Sequence, residues 1–196
     1  MEEIFIDTEI ATIFAKSAGT RENPLVLGVH GYSQRNGWHT WEPLMRPLAQ
    51  VGFWVVSVDM PGWGRTVLKQ QEQNVSPETA VLQMLDSLDV DHAILMGKSW
   101  GGGVVLEVAL NHPQRVAKLI LTAPARQNID PLRDLQQAVL LAWAKDDPVI
   151  PYEQAARYVE RLPNVQLETY DSGGHSAAQN NVVDFAPKAI EFLTRK

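Results

Sequence analysis

The chain has 196 residues, 45% of them apolar and 20% charged, with a formal net charge of −6 and no cysteine. The proportions are those of an ordinary globular protein, and the length fits one domain over residues 1–196. An acidic balance without a dense Lys/Arg run speaks against a nucleic-acid partner, and the missing thiols exclude disulfides, thiolate metal sites and a cysteine nucleophile.

The first residues, Met1-Glu2-Glu3-Ile4-Phe5-Ile6, lack the basic start and apolar core of a secretory signal. No apolar run approaches the ~20 residues of a membrane span. A cytoplasmic monomer or homodimer is expected. Ile4–Ile6 and Glu9–Lys16 alternate in polarity and are close enough to pair as an antiparallel hairpin. Continuous apolar runs follow at Leu25–Val29, Phe53–Val58, Ala93–Met96, Leu119–Leu121 and Val139–Trp143, the signature of parallel strands covered on both faces. Val165–Tyr170 alternates again and suits a sheet edge.

Helical patterns fall between these runs. Trp41, Leu44, Met45 and Leu48 make one apolar stripe, with Pro47 expected to shorten or kink that helix. Ser76-Pro77-Glu78 reads as an N-cap, a first-turn proline and a dipole-matched carboxylate. Further helices are expected over Trp100–Asn111, Asp130–Ala138, Tyr152–Leu162 and Val182–Thr194. Two strands followed by repeated β-α units predict an α/β fold with a mostly parallel, eight-stranded sheet flanked by helices. In such sheets ligands bind beyond the carboxyl ends of the strands.

The residues at those ends carry chemistry. Gly97-Lys98-Ser99-Trp100-Gly101 joins a strand to a helix in the G-x-S-x-G pattern, where a turn this tight requires small residues on both sides of an exposed serine. Ser99 is the candidate nucleophile, and the Trp100 N–H faces the place where an oxyanion would form. A serine hydroxyl needs a base. His175, after the last strand in the flexible-looking stretch Asp171-Ser172-Gly173-Gly174, is the candidate. His30, His39, His92 and His112 read as structural or surface residues, with His30 bracing its loop. Asp147, in Asp147-Pro148-Val149-Ile150-Pro151, is the expected partner of His175, with Asp146 the alternative. The second oxyanion donor is expected from Tyr32, with Ser33 in reserve. Tyr32, Ser33, Trp38 and Trp100 are candidate substrate contacts. Trp41 is expected in the core, Trp63 as a loop brace, and Lys98 as a solvated side chain rather than an anion binder.

Taken in order, His30-Gly31-Tyr32, Asp59-Met60-Pro61-Gly62-Trp63-Gly64-Arg65-Thr66, Gly97-Lys98-Ser99-Trp100-Gly101-Gly102, Asp147-Pro148-Val149-Ile150-Pro151 and Gly174-His175 resemble the motifs of the α/β-hydrolase superfamily across nearly the whole chain. Between Ala125 and Val139, where most relatives insert a lid domain, there is room for one short helix. The chain is therefore similar in plan to the small, lidless α/β-hydrolase-domain-14-like proteins. The resemblance implies a serine hydrolase of a small ester, thioester or other acyl compound, with no cofactor and no metal. Acyl transfer by the same triad, or a non-catalytic binding role, are the alternatives.

Overall fold

The computed structural model describes residues 1–70 and 76–195. Its centre is a sheet of nine strands: β1 (Glu2–Asp7), β2 (Ala11–Ala18), β3 (Leu25–Val29), β4 (Trp54–Val58), β5 (Val67–Leu68), β6 (Ala93–Lys98), β7 (Val116–Thr122), β8 (Ala138–Ala144) and β9 (Val165–Tyr170). Their order across the sheet is β1-β2-β4-β3-β6-β7-β8-β9, with β5 paired to the start of β2. The pairs from β4 through β9 are parallel, and β2 runs antiparallel to β1, β4 and β5. β5 is the strand beyond the expected eight. Its two residues are too few to show a period, and both are exposed.

The helices are α1 (Glu42–Gln50), α2 (Pro77–Ser87), α3 (Trp100–Asn111), α4 (Glu153–Arg161), α5 (Ala177–Asn180) and α6 (Val182–Thr194). Adjacent strand residues divide between two cores, as the pleat requires. Leu27, Val56, Leu95 and Leu141 pack with Met84, Val105 and Tyr158 under α2, α3 and α4. Val26, Val55, Met96 and Leu140 pack with Leu44, Leu48 and Phe185 under α1 and α6. Covering both faces is why these strands read as unbroken apolar runs.

Two helix expectations change. α1 continues through Pro47 to Gln50 instead of ending there. The helix expected over Asp130–Ala138 is a 3₁₀ turn at Asp130–Asp134, and Ala138 already belongs to β8. Pro131 suits a first turn, but Leu135 is extended and the chain must reach the sheet three residues later. This short turn occupies the position of a lid, so no cap domain stands between β7 and β8.

The chain turns back between β3 and β6. β4 follows β3 on one side, and β6 returns on the other. Such a reversal opens a crevice at the carboxyl ends of the two strands. The turns after β3 and β6 face it, and those after β7, β8 and β9 continue the same edge.

Candidate active site

Ser99 joins β6 to α3 with φ 53° and ψ −120°, a left-handed conformation that costs a non-glycine residue about 1–3 kcal/mol. The surrounding packing holds it. A Cβ on Gly97 would lie 2.6 Å from the Gly101 carbonyl oxygen, and one on Gly101 would lie 2.3 Å from that of His30. Only glycine lets β6, α3 and the loop after β3 approach this closely. The Ser99 backbone is tied into the next turn as well, its N–H donating to the Thr122 carbonyl at 2.9 Å and its carbonyl accepting from Ala125 at 2.8 Å. Trp100 is the first residue of α3, so its N–H has no carbonyl one turn back.

His175 follows β9 in a single turn of 3₁₀ helix, Gly174–Ser176. Its Nδ1 lies 2.8 Å from Asp147 Oδ2. The other oxygen, Oδ1, accepts the N–H groups of Val149 at 2.8 Å and Ile150 at 3.0 Å. The Asp147 side chain is fully buried, while that of His175 is 18% exposed. With the carboxylate accepting on both oxygens, the ring proton sits on Nδ1 and Nε2 is left as the basic nitrogen.

The stretch around His175 is less free than its glycines suggest. Asp146, the alternative partner, instead accepts the N–H groups of Gly173 at 3.3 Å and Gly174 at 2.8 Å. Asn180 donates to the Gly173 carbonyl at 2.8 Å, and Asn181 to that of Ser172 at 2.9 Å. Adjacent carboxylates thus divide the work, one on the imidazole and one on the loop that carries it.

The turn after β3 is braced from inside. His30 is fully buried; its Nδ1–H donates to the Gly31 carbonyl at 2.7 Å, and its Nε2 accepts the Met60 N–H at 3.0 Å. Burial holds its pKa below the ordinary imidazole value, which keeps the ring neutral. Tyr32 is 67% exposed. Trp63 donates its indole N–H to the Tyr32 carbonyl at 3.0 Å and stacks on Trp100 at 4.9 Å between ring centroids. Tyr32 meets both rings edge-on. Tyr32, Trp63 and Trp100 therefore form one aromatic wall beside Ser99. Ser33, next to Tyr32, is exposed. Trp38 lies elsewhere, packed with the α1/α6 core and under the Lys16 ammonium. Trp41 is buried and donates to the Val29 carbonyl at 3.0 Å.

Lys98 departs from the expectation of a solvated side chain. It is half-buried at the end of β6, and burial lowers its pKa, with the nearby Asp147 charge acting the other way. Asp59 is an organiser that reading for nucleophiles and bases passed over. It is buried, and its two oxygens accept the N–H groups of Trp38 at 2.8 Å and Arg65 at 2.9 Å, tying the turns after β3 and β4 together. Its place in Asp59-Met60-Pro61-Gly62 was the available signal, since an aspartate leading a turn commonly accepts backbone N–H groups.

Among the described residues no helix is long and apolar enough to cross a membrane. A profile described as alpha/beta hydrolase fold matches residues 24–134, and one described as TAP-like protein matches residues 117–194. The chain is 22% identical to a 2-hydroxy-6-oxononadienedioate/2-hydroxy-6-oxononatrienedioate hydrolase of Cupriavidus pinatubonensis, covering 95% of this chain and 92% of the relative. That alignment runs over 267 positions, more than this chain contains, so the relative carries inserted segments. The crystal structure of a predicted CIB-like hydrolase from Thermoplasma acidophilum superposes with a TM-score of 0.88 at 25% identity, covering 98% of this chain and 97% of that one. A meta-cleavage product hydrolase from Pseudomonas fluorescens IP01 also gives a TM-score of 0.88, at 15% identity and the same coverage. With the profile matching more than half of its length, and with this sheet order and strand-to-helix serine turn, the chain belongs to the alpha/beta hydrolase fold family.

Proposed function

We propose that the chain is a serine hydrolase acting on a small ester, thioester or other acyl compound. The observation that carries this reading is the His175–Asp147 pair at 2.8 Å, on the same sheet edge as a serine held at positive φ. In this reading Ser99 Oγ attacks the acyl carbon, and His175 Nε2 takes the hydroxyl proton and then delivers it to the leaving group. Asp147 holds the ring in that tautomer and stabilises the imidazolium. The N–H groups of Trp100 and Tyr32 receive the oxyanion, an arrangement in which each donor is worth about 10²–10³ in rate. Water then releases the acyl group by the same route. Because the base must be unprotonated, the rate falls at acid pH, where a histidine base is protonated. A rate that does not fall on acidification while the protein stays folded contradicts the role given to His175.

The test is hydrolysis of p-nitrophenyl acetate and butyrate. The parent should turn over both, and Ser99→Ala should lose about 10⁴-fold or more. A folded parent with no turnover, binding a ligand as well as Ser99→Ala does, overturns the proposal in favour of a binding protein. Product analysis with added alcohols or amines separates hydrolysis from acyl transfer. The Cupriavidus relative favours one second reading, because its name gives an oxo-dienedioate as substrate. Hydrolysis of such a compound would release the acyl group from carbon instead of oxygen. Cleavage of a hydroxy-oxo-dienoate by a protein inert towards esters would select it.

A further inference from the structure

A cavity of about 410 Å³ opens beside the nucleophile turn. From α3 it takes Trp100, Val104 and Glu107; from the turn after β7, Ala125 and Arg126; from the start of α2, Pro77 and Glu78. Its volume lies within the range of small-molecule sites. It adjoins the nucleophile turn through two backbone connections. Trp100 follows Ser99, and Ala125 donates its N–H to the Ser99 carbonyl at 2.8 Å.

The polar groups in its wall already have partners. Arg126 pairs with Glu107 and donates its Nε–H to the Asn128 carbonyl at 2.6 Å. Glu78 accepts from Asn111 Nδ2 at 2.9 Å and has His112 Nε2 3.4 Å from the same oxygen. The wall therefore carries two carboxylates and one guanidinium, and the guanidinium side chain is only 16% exposed and already has a counter-ion. An incoming carboxylate would meet net negative charge in a partly desolvated space, where like charges repel more strongly than in water. The remaining wall (Trp100, Val104, Pro77 and Ala125) offers apolar contact.

The side of the sheet identifies the fragment. A leaving group must face His175 to receive a proton. Ala177 and Ala178, just after His175, pack into the α1/α6 core, whereas the cavity lies on the α2/α3 face. The fragment in the cavity is then the one that stays on the serine.

We propose that this cavity is the acyl-group subsite, taking an uncharged alkyl chain or aryl ring and disfavouring an acyl group that ends in a carboxylate. The inference rests on the serine-hydrolase reading above. It is tested with p-nitrophenyl esters of acetic acid, phenylacetic acid and glutaric acid (the monoester). Phenylacetyl should exceed monoglutaryl in kcat/KM by about tenfold or more. Filling the cavity with Val104→Phe, or from the exposed side with Ala125→Leu, should lower the phenylacetyl-to-acetyl ratio by about tenfold. Ala125→Leu covers the case in which the buried Val104 position does not tolerate the larger ring. A monoglutaryl ester turned over as well as phenylacetyl, or a ratio unchanged in folded variants, overturns the subsite. If the parent cleaves no ester, the serine-hydrolase reading fails separately. The cavity is then read by titrating phenylacetamide while following the Trp100 indole N–H resonance. A shift lost in the filled variants supports an apolar subsite, and no shift overturns it.

Discussion

The turns that carry Ser99 and His175 sit on one edge of the same sheet and are held in different ways. The Ser99 turn is set by backbone packing around two glycines. Gly97 and Gly101 let β6, α3 and the loop after β3 crowd together where a Cβ would collide with backbone. The His175 turn is held by side-chain hydrogen bonds, some from the turn after β8 and some from the end of α5 just beyond it. Asp146 binds the N–H groups of Gly173 and Gly174, Asn180 and Asn181 bind carbonyls, and Asp147 binds the ring. A turn whose packing demands glycine at fixed positions can be read from a pentapeptide. A turn set by distant hydrogen bonds looks, in the sequence, like a flexible glycine loop.

The largest break is chemical and does not distinguish the turns. Ser99→Ala and His175→Ala should each cost about 10⁴- to 10⁶-fold in kcat, measured with p-nitrophenyl esters, without loss of the folded state. Gly97→Val separates them by stability. Its Cβ would fall within 2.6 Å of the Gly101 carbonyl, Gly102 Cα and Val105. The expected cost is about 3 kcal/mol or more by urea unfolding, since nothing around it can yield cheaply. Asp146→Ala should do the opposite, leaving stability nearly unchanged. It frees the His175 turn and should lower kcat/KM about 10- to 100-fold, because misplacing a base is costly even when the chemistry is intact. Equal activity in Asp146→Ala would mean that Asp147 alone suffices to place the ring.

The smallest effect is a pH dependence of stability at His30. Its folded pKa lies below the unfolded value because the neutral ring is buried. The unfolded chain therefore binds a proton that the folded chain refuses. The stability this contributes is complete above the unfolded value, about 6.5, and is lost as pH falls through the folded one. His30→Gln should narrow the drop in Tm between about pH 7.5 and about pH 5. An unchanged drop would show that other groups set the acid limit.

The same division between local and distant causes explains what was legible in the sequence. The strands were visible as apolar runs because both faces are covered, and the helix after Ser76 was visible because its cap is local; the Ser76 hydroxyl accepts from the Thr79 N–H at 3.1 Å. The burial of Trp41 and the bracing by Trp63 followed from their places beside strand ends. β5 escaped because two exposed residues carry no pattern. The 130–138 segment misled because Pro131 and Leu132 resemble a helix start, while the distance to β8 that cuts it short is tertiary. Lys98 misled for a related reason. A lysine reads as solvated, and only the closing of the neighbouring turns half-buries it. For the candidate site, the identities of Ser99, Asp147 and His175 could be proposed from motif and order. The division of labour between Asp146 and Asp147, and the clamp at Asp59, depend on which backbone N–H groups the fold brings to each carboxylate.

The central claim is that Ser99 is an activated nucleophile, and covalent labelling by a fluorophosphonate tests it most directly. The parent should be labelled at Ser99, as located by peptide mass, with labelling absent in Ser99→Ala and slowed by orders of magnitude in His175→Ala. A folded parent that stays unlabelled, or one labelled equally fast without His175, would contradict the account.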